Sequence, residues 1–348
     1  MTQDAPIWSP MTGTGIVRPH GQRPAERGMT LVELTVAMAI GLFLIGGALY
    51  VYAQGRNSYR SSDSLARLQE SARFAMDTLE PDVRLARYWG LNATPARITV
   101  SPGLVASCNG IAAPWALNDL SAAVEVLDDG WTLPCQPFNN DARVDSDVLI
   151  VRHAEPWQAG IEPVADGSRI QVQTTLSRGQ VFRDGTAPGL GDAADPNSSS
   201  LNNVTVNVYY VSNQSSFDAA TPSLRRLSLG PDGDFDDEEV ITGIENLQVQ
   251  LGMDTNGDGA VDRYVDGDQP LLDPASPDFD PDARVVAVRL WMLVGTPADD
   301  PAWRDDHDYP MASHDANLSD IVAGSTDYPA ANRRLQIART IYLSNEGT

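Results

Sequence analysis

The chain has 348 residues, enough for one large domain or two smaller ones, and 42% are apolar, so most of it can bury a core. Acidic residues outnumber basic ones 47 to 24, and a formal charge of −23 argues against nucleic acid or anionic lipid as a main partner. All 24 basic residues are Arg, which excludes Schiff-base, P-loop and kinase-type lysine chemistry, and two Cys make at most one bridge.

In chain order, residues 1–28 are polar and irregular and include Arg18, Arg23 and Arg27. Residues 34–55 are 22 positions without a formal charge. As a helix they extend about 33 Å, enough for a hydrocarbon core of about 30 Å. That is too long for a signal-peptide core, and no A-x-A cleavage site follows. The preceding Arg residues predict a cytoplasmic N-terminus, with the rest of the chain across the membrane. Glu33 stands at the head of this segment. A carboxylate at membrane depth is costly and calls for a partner. A Glu in a first helical turn is also favoured by the helix dipole. The residues alone leave both readings open.

Apolar positions then recur at Leu65, Leu68, Ala72, Ala75, Leu79, Val83 and Ala86, a three- and four-residue spacing. Asp63–Arg67 and Glu80–Arg84 add i,i+4 charge pairs. The pattern predicts a helix from Met29 to Tyr88, kinked or restarted at Pro81. Its first half is apolar all round; its second half is amphipathic and should pack on a sheet. After Gly90 the period becomes two. Strands are expected at 97–101, 147–153, 169–174, 204–211, 224–229, 244–251, 284–294 and 334–343. Alternation in 284–290 and 335–341 fits half-buried antiparallel strands. No regular intervening helices support a parallel βαβ sheet. Residues 184–203 read as a mobile loop and residues 296–333, rich in Asp and Pro, as a long surface excursion.

Two Cys, Cys108 and Cys135, follow the apolar helix in a compartment inferred to be oxidising. A bridge would close a loop of about 28 residues and stabilise by about 3.5 kcal/mol. Two free buried thiols are the alternative. Residues 254–262 fit D-x-[DN]-x-D-G with a further Asp at the ninth position. Asp254, Asn256, Asp258, Asp262 and the Ala260 carbonyl would wrap a calcium ion. The twelfth position is Val265 rather than Glu, and Asp266 could substitute. An Asp/Gly hairpin turn that needs no ion fits the same residues, and no other cofactor is called for. The acidic run 232–239 reads as a solvated turn. His153, His307 and His314 are scattered; His307 and His314 lie in an Asp-rich loop that could bind metal but reads as surface. No G-x-S-x-G, H-E-x-x-H or G-x-G-x-x-G occurs, and no nucleophile–base constellation is visible.

The string Gly28-Met29-Thr30-Leu31-Val32-Glu33-Leu34 resembles the type IV prepilin signal and matches it at every position. The resemblance implies that a membrane aspartyl peptidase cuts between Gly28 and Met29 and that the Met29 amine is methylated. Glu33, fifth in the mature chain, then pairs with a neighbouring subunit's N-terminal amine. Two opposite charges in apolar surroundings neutralise each other and fix axial register. A leader of 28 residues is long for that family, and Met11 offers an internal start. Ser58-Tyr59, residues 65–70, Phe74 and Tyr88-Trp89-Gly90 resemble the PilW-type minor pilins, as do residues 243–250 and 254–266. Residues 184–203 and 296–333 look like insertions.

The resemblance implies an α+β type IV pilin fold, a long N-terminal helix packed on an antiparallel β-sheet domain. Its parts would be a leader (1–28), a transmembrane or filament-core helix (29–55), an amphipathic continuation (56–90) and a periplasmic or extracellular β-rich domain (91–348). The implied protein is a minor pilin, structural and not an enzyme. It would help initiate pilus assembly at or near the tip and would sit first in the inner membrane, then on the cell surface. Implied partners are other minor pilins, the major pilin, the prepilin peptidase, the platform protein and a tip adhesin, with no nucleic acid. A J-type pseudopilin of type II secretion shares helix and fold and is the alternative. A membrane-tethered periplasmic hydrolase would need a clustered catalytic set that the sequence does not display.

Overall fold

Thr30 opens a 55-residue helix, α1 (Leu31–Leu85), by accepting the Glu33 amide on its hydroxyl at 3.2 Å. The computed structural model describes residues 28–344 apart from 93, 119, 157–163, 192–197, 273–274, 297–302, 313–319 and 323–327. Residues 1–27 of the expected leader, and His314, lie outside the described residues. The chain divides into two units, Met1–Tyr59 and Arg60–Thr348. In the first, the apolar side chains from Leu31 to Tyr52 are exposed all round the helix. Among the described residues, α1 is the one helix long and apolar enough to cross a membrane.

In the second unit α1 buries Leu68, Ala72, Ala75, Met76, Leu79 and Val83 on one face. Each such Leu or Met contributes about 1.5–3 kcal/mol by burial. Leu65, expected on this stripe, stays 42% exposed. Pro81 neither ends nor restarts the helix, which continues to Leu85. The helix stops three residues before Tyr88 because Arg87 turns left-handed at φ 67°, and Gly90 does so again at φ 79°.

The strands follow as β1 (Ile98–Val100), β2 (Ser107–Cys108) and β3 (Ile111–Ala112), then a short helix α2 (Trp115–Asn118). Next come β4 (Val124–Leu127), β5 (Val148–Ala154), β6 (Gln171–Thr174), β7 (Gly179–Phe182), β8 (Ser200–Ser212), β9 (Ser223–Leu229) and β10 (Phe235–Thr242). The remainder are β11 (Ile244–Asp254), β12 (Arg263–Val265), β13 (Arg284–Gly295), β14 (Asp308–Pro310), β15 (Asp320–Val322) and β16 (Arg334–Tyr342). One sheet runs β1-β7-β6-β8-β5-β4, with β9 pairing the C-terminal half of β8 and β10 pairing β9. A second runs β12-β11-β13-β16. Pairing is antiparallel except between β1 and β7, which run parallel from Ile98 opposite Gly179.

Both faces of the first sheet are covered, so β5 is buried at all seven positions rather than alternating. Leu149, Val151, Tyr209, Val211 and Leu224 pack with α1 and with the second sheet. On the other face, Ile150, Val206, Val208 and Tyr210 pack with Trp89, Ile98, Cys108 and Cys135. Trp89 is fully buried there, and its carbonyl accepts the Thr174 hydroxyl at 2.7 Å. Arg152, 1% exposed, points from β5 toward α2 and donates to the carbonyls of Ala116, Ala122 and Trp115 and to Glu125.

Three sequence expectations are corrected. The expected mobile loop 184–203 ends before Ser200, because residues 200–203 already form β8 and pair with β6. The acidic run 232–239 is not only a turn: β10 pairs β9 with Glu238 opposite Arg226 and Glu239 opposite Arg225, so cross-strand charge holds an acidic strand in register. Within 296–333, Asp305 and Tyr328 are buried rather than surface residues. The cause is Arg334, fully buried at the start of β16, which donates to Glu245 at 2.5 Å and to Asp305 at 3.2 Å.

Candidate functional site

The N-terminal signal comes first. Gly28, Met29 and Thr30 precede α1 in irregular backbone, and Met29 is 70% exposed. A Cβ at Gly28 would meet nothing within 4 Å. No neighbour among the described residues therefore requires Gly there. Glu33 closes a capping box, its Oε2 accepting the Thr30 amide at 2.9 Å and the Thr30 hydroxyl at 3.0 Å. The local geometry thus gives Glu33 a role within its own helix.

Cys108 and Cys135 form a disulfide with Cα atoms 5.7 Å apart, so the free-thiol alternative is set aside. The bridge is buried in the second core, and the Trp131 indole donates to the Cys135 carbonyl at 2.7 Å.

The acidic loop between β11 and β12 is organised by its own backbone. Asp254 accepts the amides of Asn256, Gly257 and Gly259 at 3.1, 2.7 and 2.9 Å. Those amides, that of Gly259 foremost, hold its carboxyl below the usual carboxylate range. Asp262 accepts the Thr255 amide and hydroxyl and the Asn256 side-chain amide at 2.8, 2.7 and 2.9 Å. Its carboxyl is lowered too, first by the Thr255 amide. Asp258 accepts only the Ala260 amide, at 2.8 Å. Asp266 is buried and accepts from Gln250 at 2.9 Å. Among the described residues no group of three or more His, Cys, Asp or Glu side chains is arranged to hold a metal ion.

The sequence reading missed a polar cluster at the end of α1. His153, which the sequence reading left unplaced, is 3% exposed on β5. Its Nε2 lies 3.6 Å from Asp82 of α1. The other Asp82 oxygen accepts from Asn207 and from the Tyr209 hydroxyl. Burial would raise the Asp82 carboxyl, but His153, Tyr209 and Asn207 outweigh it and leave it lowered. One signal was available: Asp82 lies next to Val83 of the helix's apolar stripe, and His153 is next to last in a mostly apolar strand. His307 is exposed beside Asp305 and Asp306 at 3.3 and 3.4 Å.

A comparison with curated proteins by sequence finds no match. Among solved structures, a type IV-like pilin from Thermus thermophilus aligns over 80% of this chain and 98% of its own, at 14% identity and TM-score 0.32, a likeness too slight to build on. Family models match in two places. Residues 208–345 match the family described as Type IV Pilus-assembly protein W, and residues 23–49 match the prokaryotic N-terminal methylation motif. Residues 56–90 lie outside both matches. The motif and the apolar helix behind it fit a membrane-anchored pilin. A long helix, apolar at its start, leads into a mostly antiparallel β domain; over residues 208–345 the chain is similar to the PilW family of type IV pilus-assembly proteins, and over residues 23–49 to the N-terminal methylation motif.

Proposed function

We propose that this chain helps initiate assembly of a type IV pilus and stays at or near the filament tip. The observation that carries this reading is the methylation motif running into a helix whose apolar surface has no partner among the described residues. Such a surface is stable only in lipid or among other helices, and an assembling filament offers first one and then the other. The peptidase cuts between Gly28 and Met29 and the new Met29 amine is methylated. Glu33 pairs with the amine of a neighbouring subunit. The Arg-bearing leader stays cytoplasmic, and the β domain lies across the inner membrane. Partners are the other minor pilins, the major pilin, the platform protein and a tip adhesin. Calcium held by Asp254, Asn256, Asp258, Ala260, Asp262 and Asp266 is a separate proposal and rests on spacing alone.

The test is deletion of the gene with complementation. Loss of surface pili and of twitching, with the tagged chain recovered in sheared filaments, supports the reading. Intact piliation with a secretion defect would instead favour the pseudopilin role.

A further inference from the structure

The two sheets end in strand edges, and most of these are protected. β1 and β12 are three residues long and β4 is four. Gly267 lies against β4, where a Cβ on it would stand 2.6 Å from the Val126 carbonyl oxygen. β10 carries a bulge between Glu239 and Ile241 and exposed carboxylates at Asp236 and Glu238. Short strands, cover, bulges and charge are the devices that keep an edge from pairing.

β16 has none of them. It pairs β13 without a break over nine residues, Arg334–Tyr342, with no Pro and no acidic side chain. Among the described residues no strand pairs its other edge. The ladder tells which backbone groups face that edge. At one end the Thr296 amide donates to the Arg333 carbonyl at 3.0 Å, and at the other the Leu343 amide donates to the Val286 carbonyl at 3.0 Å. Antiparallel pairing alternates, so Leu335, Ile337, Arg339 and Ile341 also turn their backbone groups toward β13. Those of Gln336, Ala338, Thr340 and Tyr342 point away from it. Ala338, Thr340 and Tyr342 are exposed.

Charge beside this edge differs from the rest of the chain. Arg339 donates to Asp77 of α1 at 3.1 Å and to Glu80 at 2.5 Å. Asp77 also meets Arg73 at 3.4 Å, and Glu80 meets Arg84. The run Arg73–Asp77–Arg339–Glu80–Arg84 alternates in sign and holds three cations to two anions, in a chain of net charge −23.

We propose that β16 receives an extended strand from another protein, which continues the second sheet and turns a carboxylate side chain toward α1. Backbone pairing supplies the affinity, and the carboxylate balances the charge run. A second copy of this chain fits less well, because pairing two β16 edges sets one net-positive run beside another. The proposal rests on the edge itself and not on the pilus reading.

The probe is a capped nonapeptide in which Thr alternates with Val and one Val is replaced by Glu, titrated into the full chain in detergent micelles. A matched peptide carries Arg in place of the Glu. The Glu peptide should bind, and the Arg peptide about tenfold more weakly. Ala338→Pro and Thr340→Pro each remove an outward amide and leave the β13 ladder intact, so each should weaken binding about tenfold or more. Thr340→Ala keeps the amide and should leave binding unchanged. If the Pro variants do not fold, hydrogen exchange in the wild type decides. The amides of Ala338 and Thr340 should exchange fast in the chain by itself and slow when the Glu peptide is added. Equal binding by Thr340→Pro and Thr340→Ala, no slowing of those amides at millimolar peptide, or a preference for the Arg peptide would overturn the proposal. So would a concentration-dependent dimer of the chain that Thr340→Pro abolishes, which would make the occupant a second copy.

Discussion

Asp147 accepts the Val249 amide at 2.7 Å and so joins the head of β5 in one sheet to the middle of β11 in the other. The link is reinforced on both sides. The Asp147 amide donates to the Leu247 carbonyl at 2.9 Å, and the Ser146 hydroxyl accepts the Leu247 amide at 3.1 Å. The second Asp147 oxygen accepts the Asp129 amide at 3.0 Å. A buried carboxyl group here does the work of a strand-to-strand ladder where no ladder connects the two sheets.

That link makes stability depend on pH. Burial pushes the Asp147 carboxyl up to about 8, against the pull of the two amides. The folded state therefore holds a proton that the unfolded state releases near pH 4. Stability from this group is full below that value and falls as pH rises through the window up to about 8. Burial also raises Glu245, which adds the same sign. Asp147→Asn leaves one amide facing a donor and should cost about 1–3 kcal/mol at pH 5. The gap to wild type should narrow by pH 8. Denaturant midpoints at both values measure this, and a constant gap would refute the assignment.

Gly90→Ala should destabilise the domain strongly. Gly90 has φ 79°, and a Cβ there would stand 2.2 Å from Ser200 Oγ and 2.7 Å from Thr174 Oγ1. Those two hydroxyls also accept the Leu91 amide, so they cannot simply move away. Left-handed strain and overlap together come to roughly 2–5 kcal/mol. Gly110→Ala shares a positive φ of 76° but meets nothing within 4 Å, and it should cost only the strain. Equal losses in thermal melts of the two variants would show that the close approach is unimportant.

Much of this was legible beforehand because it is local. The α1 stripe follows from residues three and four apart, and each of the eight expected strands has a counterpart from alternation within one segment. What the sequence hid depends on distant partners. β10 is an acidic strand held by Arg225 and Arg226 of β9, and composition alone makes it a turn. β4 and β7 are four residues each, too short for a pattern to stand out. Asp305 and Arg334 become interior residues only when each finds the other. The Asp82–His153 cluster is made by a helix end meeting a sheet, which no spacing in either segment encodes.

Glu33 offers a separation of two roles. In the chain by itself it caps α1 through Thr30; in the proposed assembly it neutralises a neighbour's amine. Glu33→Gln keeps an acceptor for the Thr30 amide and removes the charge. Thr30→Ala keeps the charge and removes the hydroxyl of the cap. If pairing is the role that matters, Glu33→Gln should abolish incorporation into filaments while Thr30→Ala assembles. Both chains should still be cut at Gly28, which N-terminal mass spectrometry reads. The reverse pattern of incorporation would make Glu33 a helix cap and no more.

The loop after β11 poses the sharpest choice between an ion and a turn. Asp254 and Asp262 each accept three hydrogen bonds from within the loop, so replacing either destabilises it whether or not calcium binds. Both carboxyls are lowered, so the stability they give is present above the usual carboxylate value and is lost as pH falls below it. Asp258 is different: it is exposed and accepts only the Ala260 amide. Asp258→Ala therefore isolates the ion's contribution. With calcium bound at the weak affinity common to extracellular sites, millimolar calcium should raise the wild-type melting midpoint by a few degrees and the variant's not at all. With no ion, the variant relieves repulsion from Asp254 and Asp262 and should match or slightly exceed wild type in calcium and in chelator alike. Melts of both chains across calcium and chelator decide it, and an unchanged wild-type midpoint leaves the loop a backbone-capped turn.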